Sequence, residues 1–330
     1  MQPIFPPKLQ RGDMVRIIAP SCSMASLPWV TPEFLEQTAD VLSSRWGLRV
    51  SEGKHIREMD AFDSSSMESR LEDLHDAFAD PDVKAVIAIR GGFASNQLLR
   101  FLDYDLIRRN PKVFCGFSDI TALSNAIYAK TGLTGYSGPN YYHFGFVQRY
   151  TLDSFAQCLM QSKPFFVQPS KEWTNDHGRP GHAMLQHEPN AGYWIFHEGK
   201  AEGTIFGGNL CTLQLLHGTD FMPDIRGAIL FLEDDHTTNP VTFDRDLQSL
   251  IHQPGFEKVR GIVIGRFEQK SGMTKNLLRQ IIETKKELAD LPVIANADFG
   301  HTHPVMTFPI GGTARIDASG TEAIIEIMKH

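Results

Sequence analysis

Cysteine is scarce in this chain. Its 330 residues hold four, at Cys22, Cys115, Cys158 and Cys211, with no CxxC pair. That excludes a disulfide framework and a zinc ribbon, and it suits buried free thiols in a reducing cytoplasm. Long apolar runs are missing as well, since none reaches the roughly 18–20 residues of a membrane helix. The first residues, 1–13, lack the apolar core of a signal peptide, so the expected location is cytoplasmic, with no membrane partner. Positive charge is in deficit. Lys and Arg number 32 against 39 Asp and Glu, for a net charge of −7. A nucleic-acid polymer would normally demand a basic face, so none is expected as a partner. No glycine turn leads into Gly-Lys-Ser/Thr, and G-x-G-x-x-G is absent, so neither a P-loop nor a dinucleotide fingerprint is present and no cofactor is expected.

The composition is that of a folded protein, 42% hydrophobic and 22% charged. The length suits about two domains. The first half alternates strand and helix signals. Residues 13–20 read as a buried strand, 33–46 as a helix and 48–50 as a short strand. Ser65-x-x-Glu68 then has the form of a capping box ahead of Leu71, Leu74 and Phe78. Lys84–Ile89 is a β-branched run suited to a strand buried on both faces. Val113–Cys115 is a further strand and 119–130 a further helix. This β-α-β-α order implies an α/β layer with ligands at the carboxyl ends of the strands. Residues 163–200 break the rhythm with Pro, Gly, aromatics and histidines, including His177, His182, His187 and His197. Such a stretch suits a functional loop or linker. Domains are therefore expected at 1–165 and 201–330, joined by 166–200. In the second half, strands fit near 203–206, 228–232, 261–265, 292–295, 313–316 and 322–327, and helices near 209–217, 243–252 and 274–289.

Four segments could carry chemistry. In Val113–Leu123 a strand turns through Gly116-Phe117-Ser118-Asp119 straight into a helix. A serine there stands out of the sheet beside a helix N-terminus, as at a nucleophile elbow, although Ile120 replaces the second glycine of G-x-S-x-G. Ser118 or Asp119 as a plain helix cap fits the same residues. Arg90-Gly91-Gly92 follows a buried strand and offers backbone amides to a phosphate or an oxyanion; a tight turn is the plain alternative. Glu233 ends the strand 229–232 and should have a partner, because a buried unpaired carboxylate is costly. That partner could be a structural ion pair with Arg245. His301 and His303 are two apart and would share a side on an extended chain. They permit either a metal site with Glu233 and Asp235 or a single base oriented by Glu233.

Taken together, these segments resemble the LD-carboxypeptidase family of serine peptidases, which includes the microcin C self-immunity peptidases. The resemblance runs from Arg11-Gly-Asp through Arg90-Gly-Gly92, Gly116–Leu123, Gly207-Gly-Asn-Leu210, Leu232-Glu-Asp234 and Asp244-Arg245 to Gly300-His301 and Pro309-Ile-Gly311. It implies an N-terminal flavodoxin-like parallel α/β domain and a C-terminal swivelling β/α/β domain, with the active site between them and a homodimer as the usual assembly. It implies Ser118 as nucleophile, Glu233 and His301 as its triad partners, and the amides of Gly92 and Asp119 as the oxyanion hole, with no metal. Ala94 departs from a frequent glycine. His236 and Thr237 depart from the Gly-Glu of many cell-wall enzymes, which bears on substrate more than on catalysis. Ser170–Trp173, Asn190–Trp194 and Asn209–Leu213 look like the immunity branch. In that reading Gly91, Trp173, Trp194 and Asn209 bind a small peptide or peptidyl-nucleotide, cut at the amide between an aspartate-like residue and a nucleotide-like group. Both tryptophans could instead simply anchor the loop. Release of the terminal D-alanine of a murein tetrapeptide is the nearest alternative, ahead of a metallohydrolase or a non-catalytic solute-binding protein.

Overall fold

The computed structural model describes residues 2–176 and 187–330. His177 and His182, named above among the loop histidines, lie outside the described residues. The first layer is a six-stranded sheet built on β1 (Met14–Ile18), β2 (Arg49–Glu52), β3 (Val83–Ala88), β4 (Val113–Cys115) and β5 (Gly135–Ser137). These five are parallel in the order 2-1-3-4-5. That order is flavodoxin-like, and its switch point lies between β1 and β3, where ligands of open α/β sheets bind. Its helices include α1 (Pro32–Trp46), α2 (Met67–Ala79), α3 (Tyr104–Arg109), α4 (Ile120–Thr131) and α5 (Arg149–Met160).

The second layer is an eight-stranded sheet. Chain order brings first β6 (Phe165–Val167), then a small separate hairpin of β7 (Glu172–Trp173) and β8 (Glu188–Pro189), then β9 (Trp194–His197). The central strands β10 (Lys200–Asn209), β11 (Ala228–Glu233), β12 (Gly261–Gly265) and β13 (Val293–Ala297) are parallel neighbours. β14 (Phe308–Ile310) leaves this layer and pairs antiparallel with β5 in the first sheet, while β15 (Thr313–Asp317) and β16 (Ile324–Lys329) close the second sheet against β10 and β6. The helices of this half are α6 (Leu210–Leu213), α7 (Pro240–Ile251) and α8 (Lys275–Glu283). The two layers thus exchange strands, and β6 and β14 stitch each half to the other.

Packing explains where the layers meet. α4 is buried from Ile120 through Ile127, on every face. A helix apolar all round needs cover on all sides, and here the first sheet and β10 with α6 supply it. Asn125 is one of the buried polar residues inside α4, with Thr121, Ser124 and Thr131. Its Nδ2 donates at 2.8 Å to the carbonyls of both Thr121 and Gly207, so the one buried amide pins β10 to the helix. α2 is capped by Ser66, whose Oγ accepts from Ser69 N at 3.0 Å, one residue later than the Ser65-x-x-Glu68 pattern predicts. α7 begins at Pro240, earlier than the apolar pattern suggests, because proline suits the first helical position and Asn239 caps it.

Candidate active site

Ser118 sits where β4 ends and α4 begins. Its φ is +65°, in the left-handed region, which for a residue with a Cβ costs about 1–3 kcal/mol. The strain turns the side chain out of the sheet and over the cleft. Asp119 starts α4 without capping it through its side chain. Its buried carboxylate turns back instead and accepts from Ser21 Oγ and, at 2.8 Å, from Ser95 N, while Ser95 Oγ donates to its carbonyl at 2.6 Å. The plain cap expected as an alternative is therefore not what these residues do. Asp119 cross-links the loops after β1, β3 and β4 at the sheet's carboxyl edge.

The glycine pair completes this edge. A Cβ placed on Gly91 would come within 2.8 Å of Ser118 Cβ and 3.2 Å of Asp119 N. On Gly92, whose φ is +153°, it would meet Cys22 Sγ at 2.3 Å and Ser21 Oγ at 2.5 Å. Both positions need glycine for close approach, and Gly92 for its backbone angle as well. The turn therefore lies against the serine, with backbone amides beside it.

The second layer brings the other partners. Glu233 is the last residue of β11 and is 2% exposed. His301 Nδ1 lies 2.8 Å from Glu233 Oε2, and His301 Nε2 lies 3.0 Å from Ser118 Oγ. With the proton on Nδ1, the imidazole donates to the carboxylate and accepts the serine hydroxyl. Arg245 does not reach Glu233; it pairs with Asp246 at 3.0 Å. The loop carrying His301 is fixed at both ends. Met306 N donates to Asp298 O at 2.6 Å, and Val305 N and Thr307 N donate to Thr151 Oγ1 and Ser154 Oγ of α5 at 3.0 and 2.8 Å.

His301 and His303 do not share a side. The segment bends between them, and His303 packs its ring on His143 at 5.3 Å while its backbone pairs with Thr174. Glu233, Asp235, His301 and His303 consequently do not converge, and no cluster able to hold a metal occurs among the described residues. Burial alone would lower the His301 pKa, but the charge and hydrogen bond of Glu233, followed by Asp235 and Glu268, raise it to about 9. Burial and then the charge of Glu233 push the neighbouring Asp234 up to about 7.

Ser118 and His301 open onto a cleft of about 270 Å³. Gly91 and Gly92 line it, together with residues that sequence reasoning did not single out as site residues: Arg90, Asn140, Tyr142, His236 and Glu268. Glu268 had a usable signal, for it lies just past the end of a buried parallel strand, β12. Trp173 and Trp194 are elsewhere. They line a neighbouring cavity of about 230 Å³, where Arg266 lies 5.1 Å from the Trp173 ring and Lys275 lies 5.3 Å from Trp194. Asn209 is buried, and its Oδ1 caps α6 by accepting from Thr212 N at 3.0 Å.

Comparison with known proteins places both halves of the chain in one family. Residues 15–138 match the model of the LD-carboxypeptidase N-terminal domain, and residues 202–316 match that of the C-terminal domain. YocD of Bacillus subtilis, whose name assigns it provisionally to the carboxypeptidases, is 49% identical over 99% of this chain and 100% of its own. The crystal structure of an MccF-like protein from Bacillus anthracis superposes with a TM-score of 0.94 at 47% identity, covering 99% of this chain and 100% of that one. The microcin C7 self-immunity protein MccF of Escherichia coli, solved in complex with aspartyl sulfamoyl adenosine, superposes at 0.87 with 29% identity over 99% of both chains. With both halves matched and in family order, the chain belongs to the LD-carboxypeptidase family of serine peptidases.

Proposed function

We propose that this enzyme hydrolyses the amide between a C-terminal, aspartate-like amino acid and a nucleotide-like group, through a Ser118–His301–Glu233 triad and an acyl-enzyme. The observation that carries the triad is the unbroken hydrogen-bonded chain from Ser118 Oγ through both imidazole nitrogens to Glu233 Oε2. His301 takes the hydroxyl proton as Ser118 Oγ attacks the scissile carbonyl. Glu233 stabilises the imidazolium that forms, and the amides of Gly92 and Asp119 hold the oxyanion. His301 then protonates the leaving nitrogen, and water, activated by the same imidazole, releases the acyl group. In this reading residues 1–165 carry the nucleophile, 201–330 carry its two partners, and 166–200 borders the substrate as linker and loop. The working assembly is a homodimer in the cytoplasm.

The likeness to MccF and to an MccF-like structure supports the nucleotide-conjugate branch. The family's own description supports the second reading, release of a terminal D-amino acid from a murein tetrapeptide. A side-by-side assay of the murein tetrapeptide and an aspartyl sulfamoyl adenosine decides between them. Higher kcat/KM on the sulfamoyl conjugate is expected, and clear preference for the murein peptide would sink the first reading.

A further inference from the structure

An amidase that removes a C-terminal group must recognise what departs as well as what stays. On the departing side both proposed substrates carry an anion close to the scissile nitrogen: a terminal carboxylate in a peptide, a sulfamate- or phosphate-type group in a nucleotide conjugate. A terminal carboxylate lies within about one residue spacing, about 3.8 Å, of the bond that breaks. Its partner must therefore line the same cleft as Ser118.

That cleft is hostile to anions over much of its wall. Asp235 and Glu268 both line it, and Glu268 is only 2% exposed. Among the described residues, the basic side chains on its lining are Arg90, His236 and His301. His301 is committed to Ser118 and Glu233. His236 places Nδ1 3.2 Å from Glu268 Oε2, so any positive charge it gains is already matched. Arg90 differs. It is half-buried and Nη1 donates to Ser26 Oγ at 3.0 Å, yet no carboxylate among the described residues lies within ion-pair distance of it. It also immediately precedes Gly91-Gly92, so the chain that brings the oxyanion-hole amide brings the guanidinium with it.

We infer that Arg90 binds the anionic group on the departing side of the substrate. The inference rests on the proposed Ser118 mechanism and adds a specificity determinant to it. A guanidinium suits the role because its planar donors pair bidentately with carboxylate-like oxygens. An anion held there offsets the repulsion from Asp235 and Glu268. A neutral amide in the same place gains nothing from the charge.

The test uses the full chain and matched substrates: a tetrapeptide with a free terminal carboxylate, the same peptide as its neutral carboxamide, and an aspartyl sulfamoyl adenosine against a neutral aspartyl alkylamide. The wild type should favour the anionic member of whichever pair it turns over by about 10- to 100-fold in kcat/KM, the scale of a hydrogen bond to a charged group. Arg90→Gln should bring that ratio close to one, and Arg90→Lys should restore part of it. Which pair shows the effect tells the carboxylate from the nucleotide-linked anion. A ratio unchanged in Arg90→Gln, whether both rates fall together or neither does, overturns the inference. Labelling by a fluorophosphonate probe separates the two levels. Labelling lost only in Arg90→Gln would make Arg90 a prop for the turn and overturn its recognition role. A wild type that fails to label, with Ser118→Ala still active, would instead remove the triad on which the inference rests.

Discussion

In the proposed mechanism Ser118, His301 and Glu233 act as one unit, so each loss should be severe and the losses should not add. Ser118→Ala and His301→Ala are each expected to lower kcat by about 10³–10⁶-fold while far-ultraviolet circular dichroism stays unchanged. Glu233→Gln should cost about 10⁴-fold, since it removes the charge that steadies the imidazolium and fixes its tautomer. The pH dependence follows from the raised His301 pKa. The base must be neutral to accept the serine proton, so the acid limb of kcat/KM should lie above the ordinary histidine value of 6.5, towards 9, and Glu233→Gln should move it down. Stability runs the other way. A pKa raised on folding contributes stability that is complete below about 6.5 and is lost as pH rises through about 9. The melting-temperature difference between wild type and His301→Gln should therefore shrink across that window. The turn at Ser118 was legible as a strand running straight into a helix, although a plain helix cap fitted the same residues. The partners of Asn209 and Arg245 were not, because a polar side chain's partner depends on rotamer and neighbours, which spacing along the chain does not encode.

Among the elements, the turn after β3 is the most constrained. Any Cβ on Gly92 would run into Cys22 and Ser21 and would force a side-chain-bearing residue to a φ of +153°. Gly92→Ala is expected to shift the turn, lower kcat by about 10²–10³-fold as when an oxyanion-hole donor is lost, and cost more than about 1 kcal/mol of stability in urea titrations. The long buried strands were legible as continuous apolar runs; β3, β11 and β12 appear within a residue or two of where the pattern puts them. Of the three-residue strands β4 was read from its apolar run before a helix, whereas β5, β6 and β14 were not, because so short a run carries no period and Pro309 in β14 speaks against a strand. α5 does carry a helical stripe, with Leu152, Phe155 and Leu159 buried, and the apolar pattern could have shown it.

For the molecule as a whole, activity depends on how the two layers seat on each other. Ser118 hangs from the first sheet and His301 and Glu233 from the second, so small displacements between them open the Ser118–His301 contact. Asn125 is a direct handle on that seating. Its truncation to Ala leaves buried carbonyls of Thr121 and Gly207 without their donor, which should cost about 1–3 kcal/mol. The effect on kinetics should exceed the effect on binding: kcat falls more than KM rises. A kcat that stays at the wild-type value in a measurably destabilised Asn125→Ala would show that the site tolerates slack between the layers.

By itself the sequence determined the α/β class, the order of the central strands and helices, and the residue types able to run serine-peptidase chemistry, because these depend on local periodicity and on turns whose geometry few residues allow. It also put glycine beside Ser118, where only glycine fits. The tertiary structure decided the rest. It set His301, and not His303, between Ser118 and Glu233 by bending the chain between the two histidines, gave Glu233 an imidazole rather than a guanidinium, turned Asp119 away from its own helix, seated both tryptophans in another cavity, and left Arg90 lining the cleft with no carboxylate of the described residues in ion-pair distance. Each of these is a contact between residues distant in the chain, settled by packing and by the need to pair buried charge, and no local pattern carries that information.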